Sequence, residues 1–243
     1  VKILGFSENG EGKKMKKRLP ELCDYFMEMD ISANSAMVER VDYQTGVLTC
    51  MQGLKSSFFT PNTLFLSLTD DVKYDGDANM FLTKAKEYGF GAYLFVPFKK
   101  VGLGLEKTLN LWIDIRKINR DVKFTVEDFN LGLLTAYLLK NNWKARLNII
   151  AIMKDSKNAG GEKVSAQAFM KKLMTLSRMP KDTKIHYVKG DLNQAIEDMP
   201  YADLNIMAIR SDVIDMKKIR KQSDAFETSL LYTIDSGLEN ALA

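Results

Sequence analysis

The chain has 243 residues, of which 46% are hydrophobic and 27% are charged, a composition typical of a globular protein in water. Its 35 Lys and Arg against 31 Asp and Glu leave a net charge of +4 without the clustered basic stripe of a nucleic-acid-binding protein. Cys23 and Cys50 lack metal or redox spacing and indicate a reducing cytosol. The sequence contains no signal peptide, and no apolar run reaches the length of about 20 residues that a membrane-spanning helix needs.

The first 104 residues alternate short apolar runs with helical patterns. The predicted strands are Val1–Phe6, Ile31–Val41, Asn62–Leu68 and Gly91–Phe98. The predicted helices are Pro20–Met29, Tyr43–Ser57 and Asp77–Tyr88. Pro20 suits the first helical position, where its missing N–H costs nothing. An apolar strand that begins at Val1, with no initiating Met, favours a fragment of a longer protein.

The alternation begins again after the connector Lys99–Thr108. The predicted strands are Leu109–Ile115, Leu147–Met153, Lys184–Val188 and Asp203–Ile209, the last of the chain. The predicted helices are Val126–Asn141, Val164–Ser177, Leu192–Met199 and one from about Ile214. Residues Thr125–Asp128 have the form of a capping box, in which the first and last side chains bond each other's backbone N–H.

Unbroken apolar strands separated by helices predict parallel strands that are covered on both faces. Right-handed crossovers then give an α/β fold of two doubly wound, mainly parallel βαβ halves, Rossmann-like in type. We expect an N-terminal subdomain of residues 1–104 and a C-terminal subdomain of residues 105–243. The uncharged run that begins FNLGLLTAYLL, at Phe129, is interpreted as a crossover helix in the core, with contact to a partner protein as the alternative.

Few residues carry a signal for catalysis. His186, the only histidine, lies inside a predicted strand without convergent partners, which favours plain packing. The acid pairs Asp70-Asp71 and Glu127-Asp128 lie at turns and helix starts, where capping explains them. Trp112 and Trp143 are interpreted as core residues. The sequence therefore predicts no catalytic, cofactor-binding or metal-binding residue and no enzyme activity.

Two glycine-containing loops, Ser7–Lys14 and Asp155–Lys163, each follow a strand and precede a helix, which is the setting of an anion site. Neither matches a phosphate-binding motif, and Gly102–Gly104 lies in a connector, so a flexible-loop interpretation is favoured. Lys13–Arg18 contains five cations in six residues. We interpret it as a solvated loop before a helix, with weak contact to anionic lipid headgroups as the alternative.

Two segments go beyond a generic α/β pattern: TPNTLFLSL, Thr60–Leu68, and the long stretch Leu109–Asp155. They resemble the cytoplasmic C-terminal domain of the cation–chloride cotransporters, the Na-K-Cl and K-Cl symporter family. The matching residues are Pro61-Asn62-Thr63-Leu64, Trp112, Gly132-Leu133-Leu134, Tyr137-Leu138-Leu139, Trp143 and the strand from Leu147. ADLNIMAIRSDV, Ala202–Val213, is similar to a late strand of the family, more loosely.

The chain departs from the family pattern in three places. Trp112 stands alone where the family has two tryptophans, and Phe129-Asn130 replaces an Asp-Gly pair. The connector Lys99–Thr108 is short, whereas animal members carry a long, phosphorylation-rich insert there. These departures indicate a compact, prokaryotic member without regulation through that insert.

The resemblance implies a regulatory and dimerisation domain of an electroneutral symporter of chloride with potassium and/or sodium. The domain would lie at the cytoplasmic face of the membrane as a homodimer, attached to a transmembrane part encoded ahead of Val1, and would not itself be the ion path. The family fold is also similar to the universal stress proteins, so a nucleotide-binding sensor is the alternative function. A small-molecule enzyme on a Rossmann-like scaffold is a third possibility, supported by fold analogy alone. For the dimer interface, the edge strands and the last helix are the candidates.

Overall fold

A computed structural model describes residues 1–7, 12–39, 42–117, 129–154, 159–190, 192–210 and 214–242. The chain forms two compact units, Val1–Asn62 and Thr63–Ala243. The capping box expected at Thr125–Asp128 lies outside the described residues.

The first unit contains two parallel strands and two helices. Its elements in order are β1 (Lys2–Ser7), α1 (Lys13–Glu28), β2 (Asn34–Glu39) and α2 (Tyr43–Leu54). Leu19 and Cys23 of α1 are buried, as are Val47 and Met51 of α2. Gly5 of β1 lies close to this helix: a Cβ there would come within 2.9 Å of the end of the Leu19 side chain, which would have to shift.

Helix α1 begins earlier than the sequence predicts. The expectation that Pro20 starts the helix is wrong, and so is the expectation that Lys13–Arg18 is a loop: both lie within α1. The proline removes one backbone hydrogen bond, to the carbonyl of Lys16. Lys, Met and Arg are good helix formers, and burial of Leu19 one residue before the proline favours continuing the helix through it.

The second unit is built on a larger sheet. Its strands are β3 (Thr63–Ser67), β4 (Gly91–Val96), β5 (Thr108–Asp114), β6 (Arg146–Met153), β7 (Lys184–Lys189), β8 (Leu204–Ala208) and β9 (Ser229–Ile234). Its α-helices are α3 (Asp75–Glu87), α4 (Asn130–Trp143), α5 (Ala159–Leu176), α6 (Leu192–Glu197) and α7 (Met216–Phe226). In the described part of the chain the sheet has seven strands in the order β3-β4-β9-β8-β5-β6-β7.

Every neighbouring pair in this sheet is parallel except β4 and β9. The predicted α/β fold with a mainly parallel sheet is therefore confirmed. The predicted boundary near residue 104 stays a prediction; that position lies between β4 and β5, within the second unit.

The expectation that Asp203–Ile209 is the last strand is wrong. β9 follows α7 and lies between β4 and β8, and all six of its residues are buried. Its sequence, SLLYTI, has the β-branched and aromatic content of a strand, so the signal was present in the sequence.

The faces of the sheet are covered by different helices. One face packs its Leu and Ile side chains against α4 and α5, with Leu133 and Phe169 in the same buried cluster. On the other face, the indole of Trp112 packs edge-on against Phe226 of α7, with ring centroids 5.2 Å apart. The hydroxyl of Tyr232 donates to Gln222 of α7 at 2.7 Å, so the tyrosine is buried without leaving its polar end unpaired.

Three strands carry the same dipeptide, Leu-Asn, at or next to their first residue, and their asparagines lie side by side. Asn110 of β5 is in register with Asn148 of β6 and with Asn205 of β8. The Asn148 amide donates to Asn110 at 2.9 Å, and the Asn110 amide donates to the carbonyl of Pro200 at 2.8 Å. Each amide is buried but hydrogen-bonded, so the row favours one strand register over slipped ones.

Asp203 fastens the connector between β4 and β5 to the start of β8. Its carboxylate accepts from the N–H of Leu105, the N–H of Lys107 and both the N–H and the hydroxyl of Thr108, at 2.8–3.0 Å. Burial pushes the pKa of Asp203 upward, but these donors, led by Leu105 and Lys107, outweigh it and hold the pKa below its ordinary value. The ionised carboxylate therefore stabilises the fold.

We expect Asp203→Asn to lower the free energy of unfolding by on the order of 2 kcal/mol at pH 7, because an amide presents only one acceptor to these donors. The folded pKa is depressed, so the wild-type contribution is present above the unfolded pKa near 3.8 and is lost as the pH falls through the folded value. Urea unfolding at pH 7 and pH 3 measures both effects. The difference between the two proteins must shrink on acidification, and a difference that stays constant contradicts the assignment.

Candidate functional site

The two glycine-containing loops, predicted to be flexible with an anion site as the alternative, are only partly described. Residues 8–11 and 155–158 lie outside the described residues. Helix α5 begins at Ala159, so Gly160 and Gly161 lie in its first turn and not in a loop. A Cβ on Gly160 would meet no atom within 4 Å, so no close approach of other groups requires glycine there.

The third glycine candidate, Gly102–Gly104, has a structural explanation. Both glycines adopt left-handed backbone conformations, with φ of 56° and 60°. A Cβ on Gly104 would collide with the carboxylate of Asp203. The carbonyl of Gly102 accepts a hydrogen bond from the Ser229 hydroxyl at 2.6 Å. These glycines allow the connector to close onto β8 and β9.

His186 lies on β7, partly buried. Burial lowers the pKa of its imidazole, with a smaller contribution from Lys184, so the ring is neutral near pH 7. Its Nε2 atom is buried without a hydrogen-bond partner among the described residues. The charge that acts on the ring is that of Lys184, so no carboxylate contributes to its titration.

The acid pair Asp70-Asp71 lies after β3 and makes local contacts. Asp71 accepts from the backbone N–H of Lys73 at 3.2 Å and caps the short 3₁₀ turn Val72–Tyr74. Asp70 pairs with Lys99. Asp71 therefore has the capping role that the sequence predicted, whereas Asp70 makes a surface ion pair instead. The second pair, Glu127-Asp128, lies outside the described residues.

The N-termini of three α-helices are occupied by the chain's own carboxylates. Asp42 accepts from the N–H of Thr45 at the start of α2, at 2.9 Å. Asp215 accepts from the N–H of Lys218 at the start of α7, at 3.1 Å. Such N-termini are where α/β proteins bind phosphate. At these starts the N–H groups are already engaged by internal anions.

Asp235 is the third and the most buried of these carboxylates. It directly follows β9, is 3% exposed, and accepts from the backbone N–H of Asn130 at 2.7 Å and of Leu131 at 3.0 Å. Burial raises its pKa to about 7; the N–H groups of Leu131 and Asn130 oppose the rise, and the nearby Glu239 carboxylate adds to it. A carboxyl that titrates near neutrality therefore caps helix α4.

The segment after Asp235 is tied to the same helix start. The side-chain oxygen of Asn130 accepts from the N–H of Ala241 at 2.9 Å. Glu239 accepts from the N–H and the hydroxyl of Ser236, at 2.9 and 2.8 Å. The beginning of α4, the end of β9 and residues 236–241 thus form one hydrogen-bonded cluster, which we call the α4 cap cluster.

Helix α4 is buried along its first two turns, and beyond them only one side, with Leu139 and Trp143, is partly buried against the core. Leu131 and Leu133 are buried, whereas Tyr137 is 39% and Leu138 57% exposed. Gly132 lies against β9, where a Cβ would approach the Thr233 hydroxyl to 3.0 Å. The interpretation of the uncharged run as a core helix therefore holds for its N-terminal half.

The described residues contain neither a metal site nor a membrane-spanning helix. No group of three or more His, Cys, Asp and Glu side chains among them could hold a metal ion. No helix in the described part of the chain is long and apolar enough to cross a membrane.

Two family models match nearly the whole chain. The first C-terminal domain of the prokaryotic cation-chloride cotransporters matches residues 1–103, and the second matches residues 104–242. The chain belongs to this family. It is a C-terminal domain of a prokaryotic cation-chloride cotransporter, as the resemblance of Thr60–Leu68 and Leu109–Asp155 predicted.

Solved structures agree with this assignment. A crystal structure of the cytoplasmic domain of a prokaryotic cation chloride cotransporter has 27% sequence identity and a TM-score of 0.83, with 99% of this chain and 86% of that chain covered. A putative universal stress protein from Pseudomonas aeruginosa UCBPP-PA14 has 11% identity and a TM-score of 0.61 over 95% of this chain and 81% of that one.

A universal stress protein from Archaeoglobus fulgidus DSM 4304 has 14% identity and a TM-score of 0.55, with 91% of this chain and 76% of that chain covered. These two stress proteins share the fold. No curated protein matches the chain in sequence.

The family residues that carried the resemblance have structural contacts. Trp112 donates its indole N–H to Asn205 at 2.8 Å, and Gly132 permits the close packing of α4 on β9. Sequence reasoning missed Asp203 and Asp235, because the partners of each lie about 100 positions away along the chain. It also missed the asparagine row, although the repeated Leu-Asn dipeptide was a usable signal.

We expect the stability of the chain to depend on the titration of Asp235. Because its folded pKa is raised from 3.8 to about 7, its contribution is fully present below pH 3.8 and is lost as the pH rises through 7. In Asp235→Asn, the free energy of unfolding should fall less between pH 5 and pH 8 than in the wild type, by on the order of 1 to 3 kcal/mol.

Chemical unfolding of both proteins at pH 5 and pH 8 measures this difference, and His186 and other groups common to both cancel. Asp235→Ala is the matched control, since it removes the cap as well and should be destabilised at both pH values by about 1 kcal/mol or more. Parallel pH profiles for the wild type and Asp235→Asn would refute the raised pKa.

Proposed function

We propose that this domain regulates and dimerises an electroneutral symporter that carries chloride with potassium and/or sodium, and that it takes no part in the ion path. The observation that carries the proposal is the match of both family models over residues 1–242. The domain would lie at the cytoplasmic face of the membrane and contact the transmembrane part of the same protein. We propose no catalytic activity for it.

The contacts of the described residues support an assembly role. Asn110, Asp203 and Asp235 are buried polar side chains of the second unit that bond to distant parts of the chain. Three helix N-termini that could receive an anionic ligand hold internal carboxylates instead. Helix starts closed by the chain's own carboxylates suit an assembly role better than the binding of an anionic ligand.

The dimer would use an isologous surface, in which the same residues of both copies meet about a two-fold axis. The last helix, α7, is one candidate for this surface, and its exposed side carries Lys217, Lys218 and Lys221. In a two-fold interface these lysines would face those of the second copy, and the repulsion disfavours α7 as the centre of the interface. Edge strand β7 carries Lys184 and Lys189 at its ends, the kind of charge that protects an edge from pairing.

We expect the full-length transporter to lose its dimeric state, and to change its chloride flux, when residues 1–243 are removed. Light scattering of the purified protein and chloride flux in proteoliposomes are the measurements. The isolated chain should itself scatter as a dimer at micromolar concentration. A mass of 27.6 kDa at every concentration, together with unchanged mass and flux after truncation, would refute both roles.

The alternative is a nucleotide-binding sensor, which the fold shared with the universal stress proteins suggests. The occupied helix starts favour the regulatory domain over this alternative. We expect millimolar ATP, ADP and AMP to leave the melting temperature unchanged, since a ligand that binds the folded state must raise it. A dose-dependent rise, confirmed by heat release in calorimetry, would favour the sensor instead.

A further inference from the structure

The strongest charge concentration of the chain lies at the start of helix α1. Five of its first six positions are cations, here called the α1 basic cluster, and all five side chains are exposed: Lys13, Lys14, Lys16, Lys17 and Arg18. Lys16 pairs with Glu39 at 3.4 Å. Within the described residues, the structure gives the other four no acidic partner. The placement of these cations in a helix, not a loop, gives them fixed positions relative to one another.

The cluster opposes the electrostatics of its own helix. A helix N-terminus carries partial positive charge, so cations there are unfavourable and acids are favourable. The first turn of α1 contains no acid, and its last turn contains no base. Glu21, Asp24 and Glu28 lie toward the C-terminal end, where acids are also unfavourable. This charge order lowers the stability of the helix, so the stability of the fold does not account for it.

The charges also divide the exposed side of α1 into two parts. At 100° per residue, Lys14 and Lys17 project opposite to the buried Leu19 and Cys23, and Lys13 and Arg18 lie on the two flanks of that exposed side. Farther along, the same side carries Glu21, Asp24 and Glu28. An anionic partner would therefore be attracted to the first turns of the helix and repelled by the last, and would meet α1 at one end.

We propose that the α1 basic cluster binds anionic phospholipid headgroups of the membrane in which the transporter lies. This inference rests on the proposed function, which puts the domain at the cytoplasmic face. Helix α1 belongs to the first of the two C-terminal domains, the one that follows the rest of the transporter most directly in sequence. The cytoplasmic leaflet is the anionic surface that a basic juxtamembrane segment meets.

The expected strength is modest for the isolated chain and larger for a tethered domain. Each Lys or Arg near an anionic membrane strengthens binding roughly fivefold. Removal of three such charges should therefore weaken binding by about 100-fold, and salt at about 0.5 M should weaken it by screening. The neighbouring acids make this contact dependent on the orientation of the domain, which is suitable for regulation.

The test is flotation of the 243-residue chain with vesicles of phosphatidylcholine alone or with 30% phosphatidylserine, at low and high salt. The variant Lys13→Gln/Lys14→Gln/Lys17→Gln removes three charges from the cluster. Lys217→Gln/Lys218→Gln/Lys221→Gln removes three exposed charges from α7 and is the matched control. Melting temperature checks folding, and the α1 variant should not melt below the wild type because its lost charges opposed the helix dipole.

The proposal requires binding to the phosphatidylserine vesicles that is lost in high salt and in the α1 variant but kept in the α7 variant. Equal losses in both variants would overturn it, since they would reflect net charge alone. Absence of vesicle binding by the wild type would also overturn it. Capture by polyglutamate and not by vesicles would point to an acidic polypeptide partner instead. Flotation measures lipid binding alone. A negative result would therefore reject the lipid proposal without affecting the light-scattering and chloride-flux tests of the proposed function.

Discussion

The second unit depends on one buried strand. β9 hydrogen-bonds to the antiparallel β4 on one side and to the parallel β8 on the other. All six of its residues are buried. Asp235, which directly follows β9, accepts hydrogen bonds from the first N–H groups of helix α4 and so holds that helix on the sheet. Without β9, the pair β3–β4 would lose its hydrogen bonds to the rest of the sheet. β3 and β4 run antiparallel to the other five strands, and the pairing of β4 with β9 joins the two groups into one sheet.

Several carboxylates of the described residues accept hydrogen bonds from the chain itself and so stabilise the fold. In a ligand-binding α/β protein, helix N-termini and the ends of strands are left open for the ligand. Here Asp42, Asp215 and Asp235 fill three helix starts, and Asp203 takes up four donors of one connector. This arrangement is chemically different from a binding pocket, although the backbone resembles that of the stress proteins. It accords with the proposed role of the domain in regulation and assembly.

Much of the fold could be predicted because its signals are local. Alternating apolar runs placed most strands within a few residues, and the α/β class followed from them. Family residues such as Trp112 and Trp143 gave the family itself. The start of α1 could not be placed, since Pro20 is a typical first residue and only the burial of Leu19 carries the helix through it. The α4 cap cluster was beyond sequence reasoning, because Asp235 and Asn130 meet only after β9 enters the sheet.

β9 also has a consequence for biosynthesis. Among the described strands it comes last in sequence and yet lies inside the sheet. During translation, β4 and β8 leave the ribosome with the edges that β9 will cover still open, and exposed strand edges favour wrong pairing. The contacts of β9 with β4 span most of the second unit, and such long-range pairing is slow to form. Until β9 has been synthesised and has paired with β4 and β8, the nascent chain therefore exposes strand edges that favour aggregation.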